Sequence, residues 1–108
     1  MRRRDPTSEP LEVTQFVGDV GVRIRVMRLA RGLTQKDLAE RADISRLTLM
    51  AIEAGSFGSR FADVARLLWV LDDVSLQASL ATAAQDPAYQ DAVRGNLPRF
   101  KSRKKDLE

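Results

Sequence analysis

Neither cysteine nor histidine occurs in the 108-residue chain. Disulfides, thiol nucleophiles and thiolate metal sites are thereby excluded, as is the side chain best suited to acid–base work near neutral pH. Glycine-rich phosphate loops and convergent carboxylates are also missing, so an enzyme is not expected and no cofactor or metal is implied. No run of about 18 apolar residues exists, and no apolar stretch follows the basic start MRRRDPTSEP. A membrane span and a secretory signal are therefore unsupported, and the expected location is cytoplasmic. Period-two alternation bounded by turn residues is absent, which leaves an all-α class. No internal repeat of useful length is found.

What is present is an ordinary soluble composition, 44% hydrophobic and 31% charged, enough for one compact core with tails. The net charge of +3 is unevenly placed. Arg2, Arg3 and Arg4 make one end basic, and Arg99, Lys101, Arg103, Lys104 and Lys105 the other, while Glu53, Asp63, Asp72, Asp73 and Asp86 make the later middle acidic. Basic ends suit a polyanion; solvated, disordered tails are the plainer reading of the same residues.

Along the chain, residues 1–12 read as a disordered basic arm, 13–84 as the main helical domain and 85–108 as a short helix with a basic tail. From about Phe16 to Arg31, Val17, Val20, Ile24 and Met27 recur at spacings of three and four, with Arg23, Arg25 and Arg31 elsewhere on the wheel, which predicts an amphipathic helix ending at Gly32. Thr34 with Asp37 forms a capping-box pattern for a second helix whose Leu38, Ala39 and Ala42 give a small-residue face. Ser45 caps a third, with Leu49 and Ile52 inward, closing at Ala54 and Gly55. After the loop GSFGSR, the spacing of Phe61, Val64, Ala65, Leu68 and Leu71 predicts a fourth, its apolar arc widened by Leu67, Trp69 and Val70. Trp69 reads as core rather than as a stacking platform, and Asp72 and Asp73 as charge at a solvated helix end. Leu76 and Leu80 point to a fifth helix from near Val74 or Ser75, and Asp86 with Pro87 starts a short sixth running to about Arg94.

The second and third helices are joined only by residues around Asp43, Ile44 and Ser45. So short a connection forces a steep crossing, the geometry of a helix-turn-helix. Ala39 sits at the expected contact, and Ile44 is expected to drop into the core. The stretch VGVRIRVMRLARGLTQKDLAERADISRLTLMAIEAG, Val20 to Gly55, resembles the phage-repressor-like, Xre-type helix-turn-helix regulators without a gap. The likeness fades after about Leu80. One departure is Asp43 at a turn position usually held by glycine; aspartate tolerates positive φ, at a cost of about 1 kcal/mol.

The resemblance implies a bundle of about five helices with an extra short C-terminal helix and basic tail. It further implies a third helix in the major groove that reads bases through Arg46, Leu47, Met50 and Ala51, with Thr48 beside them. Arg46 is the strong reader, by a bidentate bond to guanine; Leu47 and Met50 suit thymine methyls. Packing of this face against another protein segment is the competing reading. Gln35 matches a backbone-contacting glutamine, and Ser45, Ser56, Ser59 and Arg60 fall where phosphate contacts are expected, although a plain exposed loop explains Ser56 and Ser59 nearly as well. Arg28 and Glu53 resemble a structural pair bridging the first and third helices.

A homodimer is expected, since single units bury little DNA; Leu67, Val70, Leu76 and Leu80 offer apolar material for its face. EAGSFGSRFADVARLLWVLD is similar to the HipB-like antitoxins of this family, which repress their own operon and bind a toxin, often a kinase. The resemblance implies a sequence-specific transcriptional repressor and, through the HipB-like stretch, the autoregulating antitoxin of such a pair; the alternative is a protein-interaction module of the same fold that binds a toxin or other partner and has weak sequence reading.

Overall fold

A computed structural model of the chain describes residues 8–96; the basic residues at 2–4 and 99–105 lie outside them. The described residues hold six α-helices and no strand, which makes the protein all-α: α1 (Leu11–Ala30), α2 (Gln35–Ala42), α3 (Arg46–Glu53), α4 (Phe61–Val70), α5 (Ser75–Ala83) and α6 (Pro87–Val93). No helix among them is long and apolar enough to cross a membrane. The chain divides into two compact units between Val74 and Ser75, so α5, grouped with the DNA-binding domain on sequence, falls in the second.

In the first unit α1 begins at Leu11, ahead of the Phe16 start that the wheel gives and within the segment read as an arm. Pro10 holds φ −55° and makes no side-chain cap, but its carbonyl accepts from the amides of Val13 and Thr14. Proline suits a helix start, and Glu12 adds a carboxylate at its positive end. The far end closes as a Schellman motif: Gly32, at φ 68°, donates to the Leu29 carbonyl and Leu33 to that of Arg28.

Thr34 accepts from the Asp37 amide at 3.0 Å while Asp37 accepts from the Thr34 amide at 3.1 Å, the reciprocal capping box. This backbone bond, then the hydroxyl, holds the Asp37 carboxyl below its ordinary pKa. Where α2 ends, Asp43 occupies the left-handed region at φ 55°, ψ 47°.

The core consists of Ile24 from α1, Leu38, Ala39 and Ala42 from α2, Leu49 and Ile52 from α3, and Leu67, Leu68 and Leu71 from α4 and its end. Ile24, Leu38, Leu49, Leu67 and Leu71 are completely enclosed, so truncating any of these to alanine costs about 2–5 kcal/mol. Helices α1 and α3 cross closely at Gly21, where a Cβ would run into the carbonyl oxygens of Ile52 and Glu53.

Four expectations for this region are overturned. On α4 the buried face runs through Asp63, Leu67 and Leu68, leaving Phe61, Ala65 and Trp69 exposed, so Trp69 is not core. The face is turned by Asp63, which is buried because Arg60 and Arg66 reach its two oxygens at 3.3 Å. Leu67, fully buried, contributes nothing to a dimer face. Asp73 is not a solvated end charge: it is 4% exposed and accepts from Arg23 Nε at 2.6 Å and Nη2 at 3.1 Å. That hydrogen bonding, then the charge, raises the Arg23 guanidinium above its ordinary pKa. Asp72, the neighbouring residue, stays exposed and takes φ 56°. Ile44 is half-buried rather than seated in the core.

In the second unit, α6 is capped by Asp86, which accepts from the Tyr89 amide at 3.2 Å, with Pro87 following as expected. Neither α5 nor α6 has a buried residue.

Candidate nucleic-acid interface

The turn between α2 and α3 is Asp43, Ile44 and Ser45. Asp43 donates to the Glu40 carbonyl and Ile44 to that of Ala39, which closes α2 and reverses the chain within one left-handed residue. Ser45 then starts α3, its hydroxyl accepting from the Thr48 amide at 3.0 Å and donating to the Thr48 hydroxyl at 2.8 Å. The Ser45 hydroxyl is thus committed to the cap.

Because Leu49 and Ile52 face the core, helical periodicity turns the other side of α3 outward. Arg46, Leu47 and Met50 are exposed there, Leu47 by 77%, while Thr48 and Ala51 are half-buried on the flank. Arg46 has no hydrogen-bond or ion-pair partner among the described residues.

Two open clefts flank this surface. One brings Leu47, Thr48 and Ala51 together with Ser56, Ser59 and Arg60 from the α3–α4 loop. Ser56 spends its acceptor on the Gly58 amide at 3.2 Å, and Arg60 leans on Asp63 through Nε, so its outer donors remain available. The other cleft brings Arg46 together with Thr34, Gln35 and Lys36 at the start of α2. Met50 lines neither cleft. Lys36 escaped the sequence reading: it lies beside Gln35 in TQKD, but only the turn geometry sets it across from Arg46.

Arg28 and Glu53 meet in this region. Arg28 Nε donates to Glu53 Oε2 at 2.7 Å and Nη2 to Oε1 at 3.1 Å, with side chains 9% and 5% exposed. The third arm, Nη1, donates to the Leu33 carbonyl at 3.0 Å, and Gln35 Nε2 donates to Glu53 Oε1 at 3.1 Å. One buried pair therefore ties α1, the start of α2 and the end of α3.

Two capped helices joined by a three-residue turn, with the second presenting an outward face beside open clefts, define a helix-turn-helix protein. The family model for a helix-turn-helix domain matches residues 19–72, half of the 108-residue chain, and the protein belongs to that family. No curated protein and no solved structure matches it.

Proposed function

We propose that this protein is a sequence-specific, double-stranded DNA-binding repressor that works as a homodimer in the cytoplasm, with α3 in the major groove. The single observation that carries the reading is the outward face of α3: an unpartnered Arg46 beside Leu47, Met50 and Ala51, between two clefts lined with hydroxyls, an amide and cations. Arg46 takes guanine by a bidentate bond, worth about 1–3 kcal/mol of discrimination. Leu47, Met50 and Ala51 meet thymine methyls, with Thr48 at the edge. Gln35, Ser56, Ser59 and Arg60 hold phosphates and set register, and Ser45 contributes by ordering the first turn of α3.

Residues 8–74 carry nine Lys and Arg against ten Asp and Glu, so the domain itself is not basic. Three of its acids are buried against Arg23, Arg28, Arg60 and Arg66, which concentrates the free cations at sites such as Lys36 and Arg46. Phosphate attraction then falls to these few side chains and to the basic ends. Exposed apolar side chains away from α3, Trp69 and Phe61 on α4 and Val22 and Val26 on α1, supply a surface for the second copy. The likeness of residues 53–72 to HipB-like antitoxins supports autoregulation alongside a kinase-like toxin.

A footprint on DNA upstream of the protein's own gene tests this. Two protected half-sites about one helical turn apart are expected; uniform protection with no preferred site would sink the reading. That result would favour the interaction module, for which the observation is the apolar exposure of Leu47 and Met50, at 77% and 42%.

A further inference from the structure

We infer that Glu53 is more than half of a structural pair: it is a positioning residue for DNA binding, acting through Gln35. The inference rests on Gln35 being a phosphate contact. Glu53 ends α3, and its carboxylate is clamped by Arg28, whose Nη1 is in turn fixed on the Leu33 carbonyl. With the guanidinium held on both sides the carboxylate keeps one orientation, and that orientation presents Oε1 to Gln35 Nε2 at 3.1 Å.

The chemistry of this contact leaves no choice of rotamer end. A carboxylate paired with arginine only accepts, so the carboxamide of Gln35 must turn its NH2 toward Glu53. One N–H of Nε2 is spent inward. The second N–H and the carbonyl oxygen remain for the cleft that Gln35 shares with Lys36 and Arg46. Gln35 is half-buried, with its inner end anchored before any ligand arrives. A long side chain ordered in advance does not have to be frozen on binding, which raises affinity without adding a contact.

The consequence is a link from the end of the reading helix to the phosphate grip at the start of α2. Loss of the Gln35 anchor should weaken DNA binding even where Arg28 stays paired. Glu53→Asp makes that separation: the shorter acid keeps a negative charge beside the Arg28 guanidinium but, set back by one methylene, no longer spans to Gln35.

The test is a double-mutant cycle of Glu53→Asp and Gln35→Ala in the full chain. Dissociation constants are measured on a duplex from upstream of the protein's own gene, at fixed salt and well below the lowest melting temperature. Glu53→Asp is expected to weaken binding about fivefold to tenfold in the wild-type background and less than about twofold on top of Gln35→Ala. The slope of log Kd against log salt should not change in either variant, because Gln35 carries no charge, whereas Lys36→Ala should flatten it by about 0.9. An equal loss from Glu53→Asp in both backgrounds would reduce Glu53 to a structural role and overturn the inference. So would an unchanged Kd in Gln35→Ala when Lys36→Ala weakens binding. Failure of the wild type to bind the duplex at all would instead overturn the DNA-binding reading, and the positioning role with it.

Discussion

Gly18 and Gly21 lie one turn apart in α1, yet alanine at the two positions should act in opposite directions. In a helix interior alanine is favoured over glycine by about 0.8–1.0 kcal/mol. At Gly18 an added Cβ meets nothing within 4 Å, so most of that gain should be realised, with the melting temperature raised by about 3–6 °C. At Gly21 the Cβ meets the carbonyl oxygens of Ile52 and Glu53, and backbone cannot swing aside as a side-chain tip would. The Ile52 carbonyl also accepts from the Gly55 amide at 3.0 Å, so displacing it opens the end of α3. Overpacking of this kind costs about 1–3 kcal/mol, and the upper end applies here because two backbone groups must move. After subtracting the propensity gain, a net loss of about 2 kcal/mol remains, or a fall of about 8–16 °C in a unit this small. Thermal unfolding by circular dichroism on both variants reads the difference. A Gly21→Ala protein melting at or above wild type would refute the close crossing of α1 and α3 that holds α3 in place.

Glu53→Ala should strand the buried Arg28 charge at a cost of about 3–5 kcal/mol, and Arg28→Met with Glu53→Leu should recover much of it; an unchanged melting temperature in the single variant contradicts the bridge. Asp37 has a lowered pKa in the fold, so its capping contribution is complete at neutral pH and is lost as pH falls below about 4. Asp37→Ala should therefore be less stable than wild type at pH 7 and lose less on acidification; parallel pH–stability curves would exclude that role. Trp69→Arg should shift sedimentation toward the 12.1 kDa monomer with little change in melting temperature, because the ring is 76% exposed; a large drop in melting would return Trp69 to the core.

Much of the fold was legible because its signals are local. Thr34 with Asp37, Ser45, and Asp86 with Pro87 mark helix starts through bonds spanning three residues, and they sit where expected. Asp43 at positive φ was readable from the small set of side chains that tolerate it. The failures are tertiary. Asp73 is buried where Arg23 reaches it from fifty residues away, and no spacing rule reveals that partnership; Asp63 pairs locally, with Arg60 and Arg66 three residues to either side, but only the packed fold shows that it faces inward. Once Asp63 takes an inward position, the α4 wheel rotates and Trp69 and Phe61 go out. Gly21 carried no signal on the wheel, since a close approach depends on what lies opposite. In the candidate site, the placing of Gln35 and Arg46 in one cleft with Lys36, of Leu47, Thr48, Ala51, Ser56, Ser59 and Arg60 in another, and of Met50 in neither, needed the turn geometry.

The central claim is that α3 reads DNA through Arg46. The most direct test is the ratio of dissociation constants for the upstream duplex and a scrambled duplex at one salt concentration, in wild type and in Arg46→Ala. Wild type should prefer the upstream duplex, and the variant should lose about 1–3 kcal/mol of that preference, roughly 5- to 150-fold, while keeping its fold. No preference in wild type, or a preference that survives Arg46→Ala intact, would contradict it.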